Sequence, residues 1–233
     1  MSPLVCLRKF PLSLMLLAVV ALGSASLAKA DSVLLQLNRG NGSSLADINY
    51  GTVALSTNAG NIVVTVSMLN GATIINTGQE CSICFNSSIS PNPTIGASGV
   101  TAGYALISTS PGSLGGDGYG DFEYGVDYTG GNGGGCGNNL PNPCVSVVTF
   151  TVSRVGGFSS VNQLLENSIN GGRSSVFAVD IFCPTCSGGQ TGYVGTTGGT
   201  TIQETPEPAS MLLLGTGLVG IATGLRRRRN ARK

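Results

Sequence analysis

Apolar and polar residues alternate with a period of two through much of the chain. Ile62, Val64, Val66 and Met68 interleave with Val63, Thr65 and Ser67. Val148, Phe150 and Val152 interleave with Thr149, Thr151 and Ser153. Successive side chains of a strand point to opposite faces, so each run offers one apolar face to a core. Val33–Leu37, Thr52–Ser56, Thr73–Asn76, Tyr104–Thr109, Asp121–Thr129 and Ser175–Phe182 read as further strands. Asn-Gly, Asn-Pro and Gly-Gly pairs between them supply turns. About eight strands at this spacing predict an all-β domain, a β-sandwich or jelly-roll-like barrel.

One stretch carries a helical signal. Ser160 is a cap residue with Gln163 three places on, a capping-box spacing. Val161, Leu164, Leu165 and Ile169 then fall on one side, and Gly171-Gly172 ends the run. The expectation is one short helix over Ser160–Asn170. Gly130–Asn142 reads as a glycine-rich loop, and 188–205 as a last weak strand running into a Gly/Thr linker.

Both ends read as targeting segments. Arg8 and Lys9 precede the uncharged run Leu12–Leu22, and Ala28-Lys29-Ala30 offers small residues where signal peptidase cleaves. Residues 1–30 are therefore expected to be a signal peptide, with 31–187 as the exported β-domain. At the other end, Ala209–Leu225 lacks any charge, and Arg226, Arg227, Arg228, Arg229, Arg232 and Lys233 follow at once. Such a run is a short transmembrane helix over 209–225, and the basic tail 226–233 holds its end in the cytoplasm.

Pro206-Glu207-Pro208, the apolar helix and the arginine cluster occur in that order over 206–233. This arrangement resembles the PEP-CTERM sorting domain. The resemblance implies recognition by exosortase, cleavage near Pro206–Pro208, and export to the surface of a Gram-negative cell that makes exopolysaccharide.

Charge narrows the partners. Residues 31–205 hold three basic and ten acidic side chains, a net charge of −7. A domain so poor in cations does not bind nucleic acid through phosphate contacts.

Cys6 falls in the signal peptide. The other cysteines are Cys81, Cys84, Cys136, Cys144, Cys183 and Cys186, an even number in an exported domain. The simplest pairing joins near neighbours: 81 with 84, 136 with 144, 183 with 186. Two Cys-x-x-Cys pairs are also a Cys₄ zinc pattern, but about 100 residues separate them and an oxidising compartment favours disulfides. Cys183-Pro184-Thr185-Cys186 has the spacing of a redox site, yet the residues after it do not form the helix such a site requires.

The chain contains no histidine. That excludes Ser-His-Asp and Cys-His mechanisms and histidine-ligated metals. Asp117, Asp121, Glu123 and Asp127 crowd one stretch with no basic neighbour. As one strand, Asp121, Glu123 and Asp127 form a solvated acid face opposite Phe122, Tyr124, Val126 and Tyr128. The four acids are also candidate Ca²⁺ ligands, although their spacing matches no EF-hand. No other cofactor is expected.

The reading ranked first is a non-enzymatic surface or matrix protein associated with exopolysaccharide or biofilm. The alternatives are a carbohydrate- or calcium-binding module and a secreted hydrolase. The last requires two of Asp117, Asp121, Glu123, Asp127, Glu166 and Asp180 to face each other.

Overall fold

The computed structural model describes residues 31–42, 44–78, 81–89, 95–108, 114–130, 144–186, 189–197, 201–202 and 217. The expected signal peptide, transmembrane run and basic tail lie outside these residues, Gly217 apart. Among the described residues no helix is long and apolar enough to cross a membrane.

Valine- and threonine-rich segments become strands because branched side chains pack well on a pleated surface. In chain order they are β1 (Ser32–Gly40), β2 (Gly51–Asn58), β3 (Asn61–Met68), β4 (Thr73–Ile74), β5 (Ile83–Phe85), β6 (Ile95–Ser98) and β7 (Tyr104–Ser108). There follow β8 (Leu114–Gly116), β9 (Gly120–Phe122), β10 (Tyr124–Tyr128), β11 (Val147–Arg154), β12 (Phe177–Cys183), β13 (Gln190–Thr196) and β14 (Thr201–Ile202). All of this β-structure falls within Ala30–Thr205.

Twelve strands form one sheet in the order β6-β11-β3-β2-β1-β13-β12-β5-β10-β7, with β14 beside β1 and β4 beside β12. The register of β1 shifts between Leu37 and Arg39, where it leaves β2 for β13. The sheet curls there and β6 comes close to β7. The result is a nearly closed, barrel-like sandwich, as the alternation predicts. One layer is β6-β11-β3-β2-β1 and the other is β13-β12-β5-β10-β7.

The core fills the space between the layers. Leu35, Val53, Val64 and Phe150 enter it from the first layer; Ile83, Phe85, Phe177 and Val179 enter from the second, each no more than 1 % exposed. Phe85 stacks on Phe150 across the layers at 5.8 Å between ring centroids. It also stacks on Tyr124 and Phe177 within its own layer. Burying side chains of this size contributes about 1.5–3 kcal/mol each.

The outer face of the first layer follows the opposite parity. Its rungs run Ser32, Ser56, Val63, Thr151; then Leu34, Ala54, Thr65, Thr149; then Gln36, Thr52, Ser67, Val147. The hairpin between β2 and β3 turns on two residues, Ala59 and Gly60, both at positive φ. That is the geometry whose twist suits a two-residue hairpin.

Three expectations need correction. The helix over Ser160–Asn170 shrinks to a 3₁₀ turn over Val161–Leu164. Ser160 does cap Asn162, but the Gln163 side chain reaches back to Ser159 instead. Beyond Leu165 the chain is drawn out by bridges from Glu166 to Asn86 and from Ile169 to Asp121, which take the backbone groups a helix would use.

The expected strand Asp121–Thr129 breaks at Glu123. β9 leaves the large sheet to pair with β8, whereas β10 stays between β5 and β7. The last weak strand expected within 188–205 is β13, which is central between β1 and β12, so the sheet runs past the expected domain end at 187.

Candidate functional site

The second layer buries its outer face as well. Leu114, Tyr119 and Phe122 of the β8–β9 hairpin pack on Cys81, Cys84, Ala178 and Tyr193 as a second small core. Phe122 therefore belongs to a different core from Tyr124. The Tyr119 hydroxyl donates to the Arg39 carbonyl, and the Tyr193 hydroxyl to the Cys81 carbonyl. Burial holds the Tyr119 phenol up at about 12.

Beside this core lies a row of polar side chains. Val126, Ile83 and Val179 are opposite one another on β10, β5 and β12. The next rung places Asp127, Ser82 and Asp180 abreast on the outer face. The Asp127 carboxylate accepts from Asn76 Nδ2 at 2.8 and 2.9 Å, and from Ser82 N and Oγ at 3.1 and 2.8 Å. Asp180 Oδ2 accepts from Thr77 N at 2.8 Å and Thr77 Oγ1 at 2.6 Å. The other oxygen of Asp180, Oδ1, is buried with no partner among the described residues.

Burial raises the Asp180 carboxyl to about 6 despite the bonds from Thr77, and the negative charges of Asp127 and Asp117 add to the rise. Burial also raises Asp127, against the bonds from Ser82 and Asn76. Both carboxylates act as anchors for the loop that precedes β5. The disulfide Cys81–Cys84 closes the end of that loop.

The hairpin and the segment after Ile169 enclose an open cleft of about 300 Å³. Six glycines, Asp117, Asp121 and Asn170 line it. Three of these glycines, Gly116, Gly120 and Gly171, are required by close approach. A Cβ on Gly120, at φ +89°, would lie 2.1 Å from the Ile169 carbonyl oxygen. Asp117 accepts from Asn41 Nδ2 at 3.1 Å, and Asp121 from Asn170 Nδ2 at 2.9 Å. The lining offers carboxylate and backbone oxygens.

The four acids singled out from the sequence are thus divided. Asp117 and Asp121 share the cleft. Asp127 is half-buried in the polar row, so the solvated acid face is replaced by a structural network. Glu123 accepts a bond from Ser87 N at 3.4 Å, and its charge helps raise Glu166, after burial. Among the described residues no group of three or more His, Cys, Asp or Glu side chains is placed to hold a metal ion.

The sequence reading missed Thr77 and Ser82 as partners of the buried acids. Asp180, alone among the apolar residues Phe177–Phe182, was the signal available: a buried carboxylate requires donors.

Cysteine pairing follows the near-neighbour expectation where it is described. Cys81–Cys84 and Cys183–Cys186 are disulfides. Cys144 is also disulfide-bonded, and Cys136 lies outside the described residues.

Residues 204–229 match the family model of the PEP-CTERM protein-sorting motif. The chain carries a PEP-CTERM sorting domain. The match contains Pro206, Glu207 and Pro208, the apolar run and Arg226–Arg229, the residues that carried the resemblance. A PEP-CTERM tail marks an exported protein, anchored in the membrane as a precursor and sorted by exosortase to the cell surface. No curated protein and no solved structure matches the chain.

Proposed function

We propose that this PEP-CTERM protein is a non-enzymatic component of the cell surface or extracellular matrix, associated with exopolysaccharide in a biofilm. The sorting motif at residues 204–229 carries the reading, because it addresses the β-domain to the surface. The use of the acids adds support. Asp127 and Asp180 hold a loop, and the cleft carboxylates are each engaged by an asparagine. Signal peptidase trims the N-terminus after Ala30, and exosortase cuts near Pro206–Pro208. The source is a Gram-negative cell, and the transmembrane run 209–225 holds the precursor until it is cut.

The test is the intact mass, without reduction, of protein recovered from cells and medium. The expected species begins at Asp31, ends near Pro206–Pro208 and carries three disulfides. A species that keeps Arg226–Lys233 and stays in the inner membrane would overturn the processing.

The glycine-lined cleft favours a second reading, a calcium- or carbohydrate-binding module, because Asp117 and Asp121 both open onto it. Millimolar Ca²⁺ would then raise the melting temperature, and the Asp121→Asn variant would lose the shift. An unchanged melting temperature in the wild type would end that reading.

A further inference from the structure

Among the described residues, one strand surface carries no charged side chain. The outer face of β1-β2-β3-β11 is half exposed and has four side chains on each of three rungs. None of these outward positions is charged, in a domain of net charge −7. Hydroxyls predominate, and Leu34, Ala54, Val63 and Val147 supply methyl groups between them. Thr65 and Thr149 stand abreast at its centre, their hydroxyls 3.2 Å apart.

The geometry points to this face as the docking surface for a neutral, hydroxyl-bearing polysaccharide. The inference rests on the matrix reading above and names the surface and polymer class involved. Three arguments select the occupant. First, an anionic polymer is repelled by the acidic domain and a cationic one finds no carboxylate on the face. A neutral polyol meets neither cost, and each hydroxyl both donates and accepts.

Second, the face is too small to hold a second copy. Four strands spaced about 4.8 Å apart over six residues of about 3.3 Å span roughly 350 Å², against about 800 Å² per partner in a standard protein interface. Third, the face has none of the Trp, Tyr or Arg anchors that concentrate binding energy between proteins. Its branched side chains on paired strands are already held in few rotamers, so little ordering is lost when a long polymer lies across them.

The full chain in non-ionic detergent would be run through native gels containing dextran, mannan or galactomannan, with alginate as the carboxylated control. The expected result is retardation by at least one neutral polymer and none by alginate. Thr65→Arg, a long cation at the centre of the face, would weaken it at least about tenfold. Thr149→Val keeps the branched shape and removes a hydroxyl; it would weaken retardation about threefold and decides the matter if Thr65→Arg does not fold. Val155→Ser, at an exposed position off the face, would behave as wild type.

No retardation by any neutral polymer, equal retardation by alginate, or undiminished retardation of both face variants overturns the proposal. So does a wild-type dimer in sedimentation equilibrium that Thr65→Arg dissociates, since the face would then join two copies. Fractionating the producing cells separates this idea from the matrix reading. If Thr65→Arg stays in the exopolysaccharide fraction with the wild type, the face is wrong and the matrix reading stands. If the wild type is absent from that fraction yet binds the neutral polymer, the matrix reading fails and the face stands.

Discussion

The two layers of this sandwich solve the same packing problem differently. In β2, β3 and β11 buried and half-exposed residues alternate over most of each strand, one face in the core and one in water. In β12 the first five residues, Phe177–Ile181, are all buried. The difference lies in the β8–β9 hairpin, which covers the outer face of the second layer and leaves that of the first open. Covering a face creates room for a second core, and it also traps polar groups. Asp127, Ser82 and Asp180 sit where the first layer has Thr, Ser and Ala exposed to water. Trapped groups then need partners, and the loop before β5 supplies them to the Asp127 carboxylate and to Asp180 Oδ2.

The largest test strikes what the layers share. Phe85→Ala removes the ring that stacks on both sides of the core. The variant should lose about 3–5 kcal/mol of unfolding free energy in a denaturant titration. A loss below 1 kcal/mol would mean that the layers do not depend on this contact.

The disulfides compare the covered face with an open edge. Each spans a separation of three residues, so loop closure predicts about 2 kcal/mol for either one. Burial makes them unequal toward reductant. Cys81 and Cys84 are 1 % and 0 % exposed, whereas Cys186 is half-exposed. Alkylation after limited reduction should label Cys183 and Cys186 first. Labelling of Cys81 and Cys84 first would show that the hairpin does not shield them.

The third test reads the trapped carboxylate. The Asp180 carboxyl is raised in the folded state to about 6, above its unfolded value. The folded protein therefore binds the proton more tightly, and stability rises as pH falls from 7 toward 5. For one such group the gain over that window is about 1 kcal/mol. Asp180→Asn should flatten this rise in urea titrations at the two pH values, and a profile identical to wild type would remove Asp180 as its source. The open layer contains no titrating side chain on its outer rungs, so substitutions there should leave the profile unchanged.

The smallest test belongs to the first layer alone. Ala59 is held at φ +49° in the β2–β3 turn. Asparagine adopts that conformation more readily than alanine. Ala59→Asn should raise stability by about 0.5–1 kcal/mol in thermal unfolding, and a decrease would indicate that the turn is not under strain.

The first layer was legible because its strands are long, regular and wet on one side, so water imposes the alternation. β5, β6 and β8 were not legible. Ile83–Phe85 is three residues long and buried on both faces, which leaves no period to read. β13 contains Gly192 and Gly195, which look like a linker in sequence. Gly195 is nevertheless needed inside the sheet, because a Cβ there would meet the Tyr119 ring at 2.4 Å. The helix over Ser160–Asn170 was over-read because its capping pattern is local, while the bridges that unwind it come from residues 48 and 80 positions away.

The acids show the same division. Their number and lack of basic neighbours were plain, and so was the absence of histidine. Which of them share a cleft and which are buried depended on the interruption of the strand at Glu123. That interruption separates Asp117 and Asp121 from Asp127.

The sequence by itself determined the destination, through a sorting motif that is read as a linear segment, and the all-β class, through a period of two imposed by water on one face. The tertiary structure alone decided where the carboxylates act, which glycines are obligatory and which sheet face stays open. Those properties depend on segments far apart in the chain meeting at van der Waals distance, and no local pattern records such a meeting.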